Sequence, residues 1–489
     1  MPAIEHIFVL MLENRSFDHM LGFSQVTGAD AETGETTQID GLVGTESNSY
    51  GGKTYTVSPS ATFTMSTDPG HEFSDVVTQL AGPNSTFPTG GPYPPVNCSG
   101  FAANFATRGG SDPGTALTCF DPAHLPVLTT LCREFTVCDR WFSSMPGPTW
   151  PNRFFVAAAS SDGLDHSPTL GELAAWETVD GFAFQNGTIF DRLREHRLPY
   201  RLYGPRFSIV GALKGIEPLE VAHYSHFATD LADPAYPAAY TFIEPDYGDV
   251  LDHYIGGTSQ HPLDDVRSGE KLIKSTYEAV RSSPLWETSM LVITWDEHGG
   301  FYDHVHPSTA PAPGDAVATR FNRTRFGFDV YGVRVPAVVI SPLVPAHLVD
   351  HRTYDHTSIL ATVEHAFGIG PLTARDAAAR SLLDLVSLPQ ARADAPTTLP
   401  DPVGTPVVTR LARAASHALT ALTSRHSSSV DQGNLPGFVH VALRLDLAVT
   451  PSERHDERWA RVRAISTQGQ AQDYLEEVQQ RVAHNPTVP

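Results

Sequence analysis

Cysteine is scarce in this 489-residue chain: four are present, Cys98, Cys119, Cys132 and Cys138. That is too few for a disulfide scaffold at this length, and no pair is spaced C-x-x-C, which excludes a zinc ribbon. Cys98 with Cys119 allows one disulfide; buried free thiols are the equal alternative. No cysteine sits in the Cys-x-Pro-x-Arg context that a formylglycine-dependent sulfatase needs. Basic residues are also short, with 33 Lys and Arg against 55 Asp and Glu and a net charge of −22. Such a balance repels polyanions at long range and argues against a nucleic-acid partner. No apolar run approaches the roughly 18 residues of a transmembrane helix, so no membrane-spanning segment is expected. The N-terminus, Met1-Pro2-Ala3-Ile4-Glu5-His6, has no basic stretch and no small-residue cleavage site. As written, the chain reads as soluble and cytoplasmic, extracellular only if a signal has been removed or a non-standard route serves. Repeats of solenoid period are missing too.

What the chain does have is two apolar runs that stop abruptly on acids. Ile7-Phe8-Val9-Leu10-Met11-Leu12 runs into Glu13-Asn14, and Leu291-Val292-Ile293-Thr294-Trp295 runs into Asp296-Glu297-His298. This is the pattern of two buried parallel strands whose carboxyl ends deliver oxygen ligands to one crevice. Carboxylates beside a hydrophobic strand need a proton, a counter-ion or a metal, and a divalent cation meets that need for several at once.

Organisation follows from punctuation and periodicity. Residues from about 24 to 120 are rich in Gly, Ser, Thr, Pro and Asn and read as long loops with few regular elements. From about 125 to 390, strand-like runs alternate with helical patterns, as expected of βαβ units. The expected class is therefore α/β, a mostly parallel central sheet flanked by helices, in a domain spanning 1–395. Residues 396–489 read as a helical appendage, with helices expected over Val407 to Leu422 and Trp459 to Val482. A third chemical element is Met145-Pro146-Gly147-Pro148-Thr149-Trp150-Pro151-Asn152-Arg153, where a turn presents Thr149 at a helix start. Thr149 there is either an N-cap or a nucleophile whose hydroxyl ligates a metal.

Five segments in order, Glu13 to His19, Thr67-Asp68-Pro69-Gly70-His71, Pro148 to Arg153, Phe242-Ile243-Glu244-Pro245-Asp246 and Asp296 to His304, together resemble the phosphoesterase family of phospholipases C and related acid phosphatases. The resemblance implies an alkaline-phosphatase-like fold. It also implies Glu13, Asn14, Thr149, Asp296 and Glu297 as metal ligands, with Thr149 as nucleophile. His71, His261 and His298 match catalytic positions, and Glu244, Asp303, His304 and His356 match positions near the substrate. Where family members often carry Asn-Asp before the second histidine, this chain has Thr258-Ser259. Oxygen-rich ligation favours Ca²⁺ or Mg²⁺, with Zn²⁺ or Mn²⁺ open. Asp355 and Thr357 read as caps of the helix Ser358 to Phe367. Arg15 and Arg153 either pair with phosphate or tie carboxylates in place, the second role ranking first. The implied activity is phospholipase C hydrolysis of phosphatidylcholine or related lipids, with peripheral membrane contact admitted. A broad phosphomonoesterase is the alternative, and a binding protein with a structural metal the third reading. Phe63, Phe73, Phe87, Tyr93, Phe101 and Phe105 either admit acyl chains or form satellite cores.

Overall fold

The computed structural model describes residues 3–484 except 177–180, 250–253, 255, 316–320, 405–427 and 432. The helix expected over Val407 to Leu422 lies outside the described residues.

Strand β1 (His6–Leu12) is buried on both faces, and so is β10 (Ser289–Trp295). Apolar residues on both faces belong at the centre of a covered parallel sheet, and these two strands pair in parallel there, His6 opposite Ser289 through Leu12 opposite Trp295. The register puts Glu13 and Asp296 side by side just beyond the strand ends. On one side of β1 lie β9 (Tyr240–Ile243), β7 (Tyr200–Gly204) and β8 (Ala222–His223), all parallel. On the far side of β10 comes β11 (Ala337–Ile340), antiparallel, then β6 (Thr136–Cys138) and β12 (Leu348–Asp350). β2 (Thr27–Asp30) and β3 (Thr36–Gln38) close that edge. The full order is β3-β2-β12-β6-β11-β10-β1-β9-β7-β8. The mostly parallel α/β sheet flanked by helices is thus the architecture observed.

Residues 24–120 are less bare of regular structure than their composition suggests. Besides β2 and β3 they form the hairpin β4 (Ser47–Tyr50) and β5 (Lys53–Thr56) and helices Phe73–Ala81 and Phe101–Thr107. Their aromatics fill satellite cores: Phe101 and Phe105 in one, and Phe73, Phe87 and Tyr93 around Phe326 in another. The four cysteines are all free and buried. The helix expected from Ser358 starts at Thr357, with His356 at its cap and no side chain capping it. Asp355 instead pairs with Arg375 at 3.0 Å and accepts from Thr357 and Ser144, which a sequence window around Asp355 does not reveal.

The tail forms helices Leu435–Ala448, His455–Arg463 and Gln468–Ala483. Their apolar faces, including Phe438, Leu445, Tyr474 and Val478, join the same hydrophobic cluster as the sheet. Asp446, fully buried, ties them together by accepting from Arg481 and Tyr474. Among the described residues no helix is long and apolar enough to cross a membrane.

Candidate active site

The end of β1 turns sharply. Asn14 takes a left-handed backbone, φ 59°, a conformation that non-glycine residues adopt at a cost and that often marks a functional turn. The turn lets the Asn14 amide donate to Asp296 Oδ1 at 3.1 Å and the Arg15 amide to the Glu297 carbonyl at 2.9 Å, stitching the two strand ends together. Gly299, φ 64°, makes the approach feasible, because a Cβ there would lie 2.1 Å from the Asn14 carbonyl oxygen.

Helix Thr149–Ala158 aims its first residue at the same point. Pro148 holds the cap position and Thr149 is the first helical residue, so the threonine is not an N-cap. Its Oγ1 donates to Asn14 Oδ1 at 3.4 Å. One turn on, Arg153 Nε meets Asp296 Oδ2 at 2.8 Å and Nη1 meets Glu244 Oε1 at 3.5 Å, while Nη2 donates to the Met11 and Leu12 carbonyls. Glu13, Asn14, Thr149, Asp296 and Glu297 thus gather around the two strand ends, each 0% exposed, with Asn14 bridging Thr149 and Asp296.

The electrostatics are strained in one direction. Burial, reinforced by Asp296, holds the Glu13 carboxyl well above the usual range. Burial also raises Asp296 to about 6, with Arg153 opposing and Glu297 adding to the shift. Glu13 Oε2 and Glu297 Oε1 are buried without a hydrogen-bond partner. Three carboxylates against one guanidinium, two of them with orphaned oxygens, plus an amide and a hydroxyl, form a donor set that suits a hard divalent cation.

The histidines divide. His71 and His261 face one another, ring centroids 6.4 Å apart, beside Asp68, whose Oδ2 is 3.7 Å from His261 Nε2. His71 Nδ1 is buried without a partner. Burial by itself would lower its pKa, but Glu297, Asp68 and other carboxylates raise it to about 9. His298 donates from Nε2 to Gln79 Oε1 at 2.8 Å, with Nδ1 3.3 Å from Glu297. These three surround the centre. A cleft of about 980 Å³ opens over it, bordered by Asp68, His71, Phe73, Tyr254, Leu263 and Asn434 among others.

Four positions expected near substrate are engaged elsewhere. Glu244 accepts from Ser208, Val210 N, Tyr247 and Arg153, behind the arginine. His356 donates from Nε2 to the Asp296 carbonyl at 2.6 Å and accepts from Trp141 Nε1 at 3.3 Å, so both nitrogens are committed. Burial drops its pKa to about 4, which keeps it neutral. Asp303 and His304 belong to a second buried network in which Arg334 bridges Asp18 and Asp303, each at 2.9 Å. His304 donates to Asp18 and Asp40, whose carboxylates overcome burial and raise it to about 10.

Sequence comparison supplies the affiliation. The profile described as Phosphoesterase family matches residues 4–370. The chain belongs to the phosphoesterase family. Non-specific phospholipase C6 of Arabidopsis thaliana is 36% identical over 426 residues, covering 81% of this chain and 75% of the relative. Non-specific phospholipase C1 of the same plant is 35% identical over 422 residues, 81% and 74% of the two chains. Phospholipase C B of Mycobacterium tuberculosis is 29% identical over 406 residues, 75% and 74%. A solved protein of the alkaline phosphatase superfamily from Vibrio parahaemolyticus covers 60% of this chain and 80% of its own at TM-score 0.32 and 12% identity, a likeness too faint to carry an argument. This phosphoesterase is a phosphoric ester hydrolase.

Asp18, Asp303 and His304 also bring ligand atoms within 4.8 Å of one another, closer than the acids of the Thr149 centre lie among themselves. In that group, however, a fully buried guanidinium already neutralises both aspartates. Arg15 ties backbone rather than carboxylates, donating to the Gln260 and His261 carbonyls and so fixing the His261 loop. Sequence reasoning missed Asp68, Gln79, Tyr254 and Asn434. Asp68 was visible inside the Asp-Pro-Gly-His segment; the other three have no motif around them.

Proposed function

We propose that this phosphoesterase is a metal-dependent phospholipase C that cleaves the glycerol-side phosphodiester of phosphatidylcholine or related lipids, releasing diacylglycerol and a phosphorylated head group. The observation that carries the reading is the fully buried Thr149 hydroxyl, 3.4 Å from Asn14 Oδ1 and on a helix pinned to Asp296, beside orphaned carboxylate oxygens. The names of its relatives in Arabidopsis and Mycobacterium support it.

Glu13, Asn14, Thr149, Asp296 and Glu297 would hold a divalent cation, Ca²⁺ or Mg²⁺ by donor type, which when bound favours the threonine alkoxide and offsets charge on the phosphoryl oxygens. Thr149 Oγ1 attacks phosphorus in line, forming the Oγ–P bond as the P–O bond to glycerol breaks. His71, held protonated, gives its proton from a ring nitrogen to the departing glycerol oxygen. Now neutral, the same imidazole takes a proton from the water that splits phosphothreonine, restoring Thr149 and freeing the phosphorylated head group. His261 and His298 flank this step, and Arg153 keeps Asp296 and the Thr149 helix in register.

A phosphomonoesterase is the second reading, favoured by the cleft itself. Most loop aromatics are locked in satellite cores, and of them Phe73 alone reaches its border, so they build no acyl-sized wall. Parallel assays of phosphatidylcholine and a chromogenic monoester, with cation stripped and restored, separate the two. Lipid turnover exceeding monoester turnover by orders of magnitude supports the first reading and the reverse supports the second. Thr149→Ala should abolish both activities and leave the fold intact; near-parental turnover overturns the nucleophile assignment.

A further inference from the structure

Asparagine is among the best helix caps, because its side-chain oxygen accepts from the first turn. Asn434 stands at the cap of helix Leu435–Ala448, yet its side chain makes no capping hydrogen bond. The amide is turned inward instead. Nδ2 donates to Glu13 Oε1 at 3.3 Å, to Thr149 Oγ1 at 3.4 Å and to Tyr254 OH at 3.5 Å. All three contacts are long, two hydrogens serve them, and Oδ1 is buried with no partner among the described residues. The residue is 4% exposed, so water outside does not complete the set.

Packing holds it in this unrewarding pose. A Cβ at Gly437, one turn further along, would lie 1.9 Å from Trp150 Cζ2, so only glycine lets the helix press onto the residue that follows Thr149. A polar side chain that forgoes its cap and spreads one amide nitrogen over three long contacts, one of them to the attacking hydroxyl, has the character of a donor that redirects to a ligand. When Oγ1 meets phosphorus, the non-bridging oxygens come within reach of Nδ2. Beside three carboxylates, a neutral donor can hold such an oxygen without adding repulsion.

We infer that Asn434 is a phosphate-contacting residue of the active centre, contributed by the C-terminal helices from beyond the family-matched residues 4–370, with Nδ2 donating to a non-bridging oxygen of bound phosphoester or phosphate. The inference rests on Thr149 as the attacking group. Its test uses the full chain with Asn434→Ala and the nearly isosteric Asn434→Asp, and inorganic phosphate as probe. Phosphate inhibition of monoester hydrolysis, the phosphate-induced shift in Tm, kcat and KM are measured together. Both variants should weaken phosphate inhibition and lower kcat/KM by about tenfold or more, Asp further than Ala because it adds charge to the acidic centre. Cation content and phosphate-free Tm should match the parent in Asn434→Ala, while the buried carboxyl added by Asn434→Asp should lower the phosphate-free Tm. If the alanine variant does not fold, the aspartate variant decides. Parental phosphate affinity in a folded variant overturns the inference, including the case where turnover falls but phosphate binding does not. Thr149→Ala is run alongside. Full activity there brings down the nucleophile reading and this inference with it, whereas a dead Thr149→Ala with Asn434 variants of parental phosphate affinity brings down this inference alone.

Discussion

Replacing Asp296 with asparagine should make the cation-free protein more stable while removing its response to a cation. The carboxyl is fully buried and its pKa lies at about 6 rather than 3.8, burial outweighing the pull of Arg153. The native state therefore keeps a proton over a range where the unfolded chain has lost it. Stability falls as pH rises from about 4 to about 6 and stays lowered above that, the reverse of a salt-bridged aspartate. The gap between 3.8 and about 6 corresponds to about 3 kcal/mol at about pH 7, shrinking to about 1 kcal/mol at about pH 4.5. Asparagine keeps the shape, including an oxygen for the Asn14 amide, and does not ionise, though its Nδ2 then faces the Arg153 Nε–H, donor against donor, which offsets part of the gain. Urea denaturation in chelator should show Asp296→Asn ahead of the parent by up to about 3 kcal/mol at about pH 7, with the lead narrowing on acidification. Adding divalent cation at about a hundred times its Kd should raise the parent by about 2.7 kcal/mol and the variant far less. A variant less stable than the parent in chelator at about pH 7, or a lead independent of pH, refutes the reasoning.

Two further outcomes are expected. His71→Gln should lower kcat/KM by about 10²- to 10⁴-fold. It should also flatten the alkaline limb of the pH profile, because the carboxylates around His71 raise its pKa and activity is lost as rising pH removes its proton; a limb that persists unchanged assigns the titration elsewhere. Arg334→Met should destabilise the fold by about 3–5 kcal/mol in urea, since it strands buried Asp18 and Asp303, with kcat per folded molecule little changed. A loss of turnover without a loss of stability would instead put Asp303 and His304 at the substrate.

The strand ends were readable because the rule behind them is local. An apolar run buried on both faces that stops on an acid has few explanations, and β1 and β10 pair as adjacent parallel strands with Glu13 and Asp296 at the same level. Thr149 was readable as a helix start, though only coordinates distinguish the first helical residue from the cap. Asp303, His304, Glu244 and His356 look like site residues in one dimension because their motifs do not contain their partners. Arg334, Ser208 and Trp141 arrive from elsewhere in the chain and engage them. Asn434 was invisible for the opposite reason: an asparagine ahead of a helix beginning Leu-Pro reads as a cap, and only the packing of Gly437 on Trp150 shows where the side chain goes. Thr258-Ser259 stands where family members often carry Asn-Asp, and an acid reaches His261 from a distant loop instead, Asp68 at 3.7 Å.

The account turns on Thr149 carrying the phosphoryl group. Acid-quenching the enzyme within a turnover and mapping its peptides tests this directly. A phosphoryl adduct on Thr149 within Met145 to Arg153, forming and decaying with the reaction and missing in Thr149→Ala, is the predicted result; a catalytically active enzyme that never carries phosphate there contradicts it.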